Sequence, residues 1–164
     1  MIQKKSKAII IGGSKGIGKE ISKELKSLKI KTIVCSRKEI DTSSITSVKK
    51  FIKKYKSTDI LVLNSGGPPP LKLSKINEET WKKYFNQLFL GFFLLLQKIK
   101  INNNGYVFYI SSSIIKEPGE NLIISSSLRA AMSSLLKSFS ISKSKKNVSV
   151  INIAPGPFKT NRVK

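Results

Sequence analysis

The stretch Ile11-Gly12-Gly13-Ser14-Lys15-Gly16-Ile17-Gly18 follows a short apolar run, residues 8–11, and leads into a segment of different periodicity. There Ile17, Ile21, Leu25 and Leu28 recur at helical spacing, with Glu20, Glu24 and several lysines between them. A buried parallel strand, a glycine turn and an amphipathic helix fit that order. The glycines permit a tight turn and let backbone N–H groups approach a pyrophosphate at the positive end of the helix. A loop that merely closes a turn would use the same residues, but the strand and helix on either side favour the phosphate reading.

Outward from this turn, strands and helices alternate without a linker. Residues 30–35 read as a second strand, and Val48, Phe51, Ile52 and Tyr55 form the stripe of a second helix. Residues 59–63 read as a third strand. A longer helix over 78–98 begins at Glu78 and Glu79, whose charges suit a helix N-terminus. Residues 106–110 form a fourth strand, roughly 125–142 a helix, and 148–154 a fifth strand. The pattern predicts an α/β fold: a three-layer, Rossmann-type, doubly wound parallel sheet of about five strands, in one domain spanning 1–164. The 164 residues, 40% of them hydrophobic, suffice for one core and not for two large ones.

Composition excludes several chemistries. With Cys35 alone and no histidine, the chain has no disulfide framework, no Cys/His zinc site and no His-activated nucleophile, so no metal is expected. Residues 1–7 are basic, but 8–13 is too short an apolar stretch for a signal peptide, which points to a mature cytoplasmic protein. Residues 88–96 are apolar except Gly91, a run too short to span a bilayer, so no membrane partner is expected.

The charge balance, 31 cations against 9 anions for a net +22, invites a nucleic-acid or membrane-surface reading. Against it, 28 of the cations are lysines spread along the chain, and the aromatics sit mostly at core spacing. The 23 isoleucines against 4 alanines suggest a genome rich in A and T as the source of the lysines. Nucleic acid is therefore not expected as a partner, beyond weak association at low salt.

A second signal follows the second strand, at Ser36-Arg37-Lys38. Dinucleotide-binding folds select NAD with an acid near this point and accept the 2′-phosphate of NADP with an arginine. No acid lies directly at the strand end, whereas Arg37 and Lys38 do, which predicts NADP(H). The plainer alternative makes Arg37 an ordinary solvated cation. Asp41 is placed to meet the adenine amino group.

With these residues in hand, the chain resembles the short-chain dehydrogenases/reductases over residues 7–162. Their spaced glycines match Gly12, Gly16 and Gly18, and Asp59-Ile60-Leu61-Val62-Leu63-Asn64-Ser65-Gly66 is similar to their Asp-Ile-Leu-Val-Asn-Asn-Ala-Gly stretch. Ile110-Ser111-Ser112 matches their Ile-Ser-Ser, and Pro155-Gly156 with Thr160 resembles their Pro-Gly and following Thr. The resemblance implies that Gly12, Ser14, Lys15, Gly16, Ile17 and Gly18 cradle the pyrophosphate, with Ser36, Arg37 and Asp41 at the adenosine end. It implies that Asn64, Ser65, Gly66, Pro155, Gly156 and Thr160 line the ribose and nicotinamide side, and that Ser112 polarises a substrate carbonyl.

The family's catalytic Tyr and Lys fall at Ser125 and Arg129, and its helix Asn falls at Leu88. A serine is a far weaker acid than a tyrosine, and arginine stays protonated. Arg129 could instead hold the cofactor ribose or an anionic substrate group. The loop Asn64-Ser65-Gly66-Gly67-Pro68-Pro69-Pro70 and the pair Ser125 and Arg129 resemble a divergent branch similar to 3-oxoacyl-[acyl-carrier-protein] reductases. Replacement proton donors are Ser112, Ser125, a bound water, Glu117 or Glu120. The rival reading is a noncatalytic cofactor-binding or scaffold protein.

Only ten residues, 36–45, separate the second strand from the next helix where the family fits a further helix and strand, so the expected strand order is 2-1-3-4-5. The chain given ends eight residues after Gly156, which reads as a family domain shortened at its C-terminus. The expected partners are a small-molecule or acyl-carrier-bound carbonyl substrate and a second copy of the chain. The resemblance puts a homodimer interface on the 78–98 helix and the helix after it, where Ala130, Ala131, Ser133 and Ser134 permit close approach.

Overall fold

The computed structural model describes residues 6–157. Five strands form one parallel sheet in the order β2-β1-β3-β4-β5, as expected. They are β1 (Lys7–Ile11), β2 (Lys31–Cys35), β3 (Ser57–Leu63), β4 (Lys100–Ile110) and β5 (Ser149–Ile153). Chain direction reverses its march between β1 and β3, so a crevice opens at their carboxyl ends.

Helix α1 (Gly16–Ser27) returns the chain from β1 to β2 and lays Ile17, Ile21 and Leu25 on one face of the sheet, against Ala8, Ile10, Ile60 and Val62. The opposite face is covered by α2 (Ile45–Lys54), α4 (Gly91–Lys98) and α5 (Ile123–Lys143). Val48, Phe51, Phe92, Leu95, Met132 and Leu136 from these helices join Ile9, Leu61, Val107 and Tyr109 in the main core. β1 and β3 are buried on both faces, which explains their unbroken apolar runs.

The expected single helix over 78–98 is instead three pieces: α3 (Glu78–Phe85), a π-helical turn at Asn86–Leu90, and α4. Asn77 caps α3 by accepting from the Thr80 backbone N–H at 2.8 Å. After the wider turn, Gly91 brings the helix against the loop that follows β2. A Cβ on Gly91 would stand 2.7 Å from the Thr42 carbonyl oxygen. β4 also begins earlier than expected, because Lys100 and Ile101 pair with Ser57 and Thr58 before the shift in register that precedes Ile60. The polar run Asn102-Asn103-Asn104 masks this in the sequence.

On the α1 side, no helix among the described residues lies over β4 and β5. Tyr106 and Phe108 stack on each other at 6.0 Å and stay half-buried, while Ile151 and Ile153 are 38% and 43% exposed. No helix of the described residues is long and apolar enough to cross a membrane.

Candidate cofactor and active site

The glycine turn is built for close approach. Gly12 and Gly16 both take positive φ, 64° and 52°, a region that favours glycine. A Cβ on Gly18 would collide with the Gly12 carbonyl, so α1 packs directly on the turn. The Asn64 side chain, at the end of β3, donates to the Gly12 carbonyl at 2.9 Å, and Ser22 Oγ donates to the Gly18 and Gly13 carbonyls. A Cβ on Gly16, by contrast, would meet nothing within 4 Å. Lys15, at the N-cap of α1, makes no side-chain capping bond, so the first N–H groups of the helix have no side-chain cap. The turn is thus braced from below and open above, the shape that a pyrophosphate fits. Ser14 and Lys15 are exposed, whereas the Ile17 side chain packs against the sheet and can offer a ligand only its backbone.

A cleft continues from this turn along the ends of β1, β2 and β3. Gly12, Ser36, Arg37, Asp41, Asn64 and Gly66 line it, which joins both halves of the expected dinucleotide site. Thr42 and Gln87, which the sequence reading did not single out, also line it. Asp41 already uses Oδ1 to accept from the Ser43 backbone and hydroxyl, at 2.9 and 2.7 Å. The sequence shows no acid directly at the end of β2, but the fold supplies one. Glu39 bends back so that its Oε2 accepts from Ser36 N at 2.7 Å and Ser36 Oγ at 2.6 Å. These hydrogen bonds, with Lys38 nearby, hold the Glu39 carboxyl below the usual carboxylate range. Beneath the cleft, burial pushes the Cys35 thiol up to about 12, and the Glu39 charge adds to the effect.

The other side of the crevice is occupied by Arg129. It is only 5% exposed. Its guanidinium donates to the Ile110 and Ser111 carbonyls at 3.0 and 3.4 Å, to the Ser65 carbonyl at 2.9 Å and to Ser125 Oγ at 3.2 Å. Arg129 therefore binds the carboxyl ends of β3 and β4 to α5, and these bonds engage all three of its nitrogens. The expectation that it holds a ribose or a substrate anion does not match this placement. Gln87 clamps the same loop from the π-helical turn, donating to Ser65 Oγ at 3.0 Å and to the Gly66 carbonyl at 2.6 Å. A glutamine at the head of the apolar run that begins at Leu88 was the signal available in the sequence. Leu88, at the family's Asn position, is fully buried against Ile124 and Leu128.

Ser112 is half-buried and extended, the first residue beyond the two carbonyls that Arg129 holds. The loop after β5 is pinned beside it, since Ser113 N donates to the Pro155 carbonyl at 2.9 Å. Gly156 follows with open space at its Cβ position, and Thr160 lies outside the described residues. Ser125 is 6% exposed and accepts from Arg129, while Glu117 and Glu120 are exposed on the turn before α5. The nearby Tyr109 hydroxyl is buried and makes no well-formed hydrogen bond among the described residues. Burial raises its pKa, and this is partly offset by the charge of the neighbouring Arg129 and by hydrogen bonding with it. No group of acidic or cysteine side chains suited to a metal occurs among the described residues.

Known proteins share the sequence pattern and the fold. The family model described as short chain dehydrogenase matches residues 40–164. The chain is 26% identical over 192 residues to the NADPH-dependent reductase BacG of Bacillus subtilis (strain 168), covering 96% of this chain and 73% of that protein. Among solved structures, it is similar to a small-chain dehydrogenase in complex with NADPH, with a TM-score of 0.82 and 25% identity. That match covers 95% of this chain and 72% of the other. A short chain dehydrogenase from Burkholderia cenocepacia J2315 in complex with NADP shares the fold at a TM-score of 0.84 and 18% identity, covering 97% of this chain and 76% of that one.

Proposed function

Because the chain belongs to the short-chain dehydrogenase family, we propose that it is an NADP(H)-dependent oxidoreductase that reduces a carbonyl substrate by hydride transfer. The observation that carries the proposal is the open glycine turn joined to a cleft that ends at Ser36 and Arg37. Gly12, Ser14, Lys15, Gly16 and Gly18, with the backbone of Ile17, would hold the pyrophosphate, and Arg37 with Ser36 the 2′-phosphate. Asp41 would meet the adenine. Asn64, Ser65, Gly66, Pro155, Gly156 and Thr160 would line the nicotinamide side. When bound, the reduced nicotinamide supplies the hydride.

The chain's own residues would then polarise the carbonyl and deliver a proton. Ser112 would donate a hydrogen bond to the carbonyl oxygen from the end of β4. Ser125 accepts from Arg129, so its own O–H remains available to donate, and the adjacent guanidinium makes that hydroxyl a better acid. Arg129 is then a positioning residue. A 3-oxoacyl or acyl-carrier-bound substrate is supported only by the resemblance of the 64–70 loop and of the Ser125 and Arg129 pair to the divergent branch. A homodimer through α5 is supported by the exposure of Ala130, Ala131 and Ser134.

The test is NADPH consumption against small ketones, aldehydes and 3-oxoacyl thioesters. Ser112→Ala should lower kcat/KM by about 100-fold or more while NADPH binding is unchanged. Undiminished turnover in that variant would remove Ser112 from the mechanism. NADPH binding without turnover of any carbonyl would leave a noncatalytic cofactor-binding protein.

A further inference from the structure

Resting on the reading of the cleft as the seat of NADP(H), we propose that Glu39 is a specificity-determining residue. Its carboxylate occupies the two Ser36 donors that a 2′-phosphate beside Arg37 needs, and so holds the preference for NADPH over NADH below what Arg37 alone would set. Ser36 N and Ser36 Oγ converge on one oxygen, Oε2, at 2.7 and 2.6 Å. Two donors converging on one anionic oxygen are what one oxygen of a phosphate would seek. Ser36 Oγ has no second proton to offer. Its acceptor side is also engaged, by the Lys38 backbone N–H at 3.1 Å. A phosphate can therefore gain Ser36 only by displacing Glu39.

The displacement is feasible because Glu39 is exposed and can turn into water. Its lowered pKa keeps it anionic near neutral pH, so a dianionic phosphate arriving beside Arg37 meets a like charge. NADH meets no such opposition. Its 2′-hydroxyl carries a proton that a carboxylate can accept, so Glu39 need not move. The two cofactors thus face different costs at one side chain, three residues from the Ser36 donors it binds.

The experiment is a fluorescence titration of NADPH and NADH on the wild type, Glu39→Gln and Glu39→Ala, with Arg37→Ala alongside. The ratio of Kd for NADH to Kd for NADPH should rise about tenfold in both Glu39 variants, mainly through tighter NADPH, and should fall in Arg37→Ala. A ratio within about twofold of wild type in both Glu39 variants, with both cofactors still bound, overturns the role of Glu39 and leaves the cleft reading intact. Absence of binding to the wild type, with NADPH binding gained in the Glu39 variants, would support an even stronger block by Glu39. Absence of binding in every variant overturns the cleft reading and this inference together.

Discussion

At the carboxyl end of β1, the glycine turn and the start of α1 face open space. At the ends of β3 and β4, the donors of Arg129 and Gln87 are spent on the protein itself. Gly16 leads into a void and α1 starts without a side-chain cap, whereas Arg129 places its guanidinium on the Ser65, Ile110 and Ser111 carbonyls and on Ser125. The two sides share one crevice and differ in what a mutation should disturb. Substitutions on the dinucleotide side should change ligand binding more than stability, and substitutions around Arg129 should do the reverse.

The largest effect is expected at Arg129. Arg129→Met removes the charge and strands three carbonyls, two of them buried, and should cost about 3–5 kcal/mol in urea unfolding. Arg129→Lys should recover only part, because an ammonium cannot reproduce the planar fork. A loss under about 1 kcal/mol for Arg129→Met would erase the contrast between the two sides. Next comes Gly18→Ala, whose Cβ collides with the Gly12 carbonyl and should cost roughly 1–3 kcal/mol as well as cofactor binding.

Gly16→Ala sharpens the comparison. Its Cβ meets no protein atom, so only the strain of the positive φ, about 1–2 kcal/mol, should appear in stability. Its NADPH affinity should fall by more than that strain explains, because the methyl group would enter the phosphate cradle. The smallest effect is expected at Tyr109→Phe. Deleting a buried hydroxyl whose one neighbouring donor, Arg129, is already committed to other acceptors should change stability by less than about 1 kcal/mol. A loss of more than that would reveal a hydrogen bond to Tyr109 and a tighter network around Arg129.

Cys35 offers a chemical check on how firmly the floor of the cleft is closed. With its pKa pushed up to about 12, the thiol stays protonated well above the range where an ordinary cysteine ionises. Folded protein at about pH 8 should therefore resist iodoacetamide, and protein in urea should react at the ordinary rate. Rapid labelling of the folded form would mean that the end of β2 opens readily.

The sheet order was legible because β1 and β3 are uninterrupted apolar runs and the segment after Arg37 is too short for another strand. The π-helical turn was not legible, since residues 85–96 keep helical spacing on either side of it. Glu39 was missed because distance along the chain hides a bend that returns a side chain to the strand end. Arg129 was placed correctly on its helix but assigned outward, because a motif position does not reveal which nearby carbonyls lack partners. Such groups are visible only once β3, β4 and α5 are packed together.

The cofactor reading stands or falls most directly on equilibrium binding of NADPH and NADH to the purified, demonstrably folded protein. Saturable binding that favours NADPH and weakens in Arg37→Ala is the predicted result. No binding of either cofactor would contradict it.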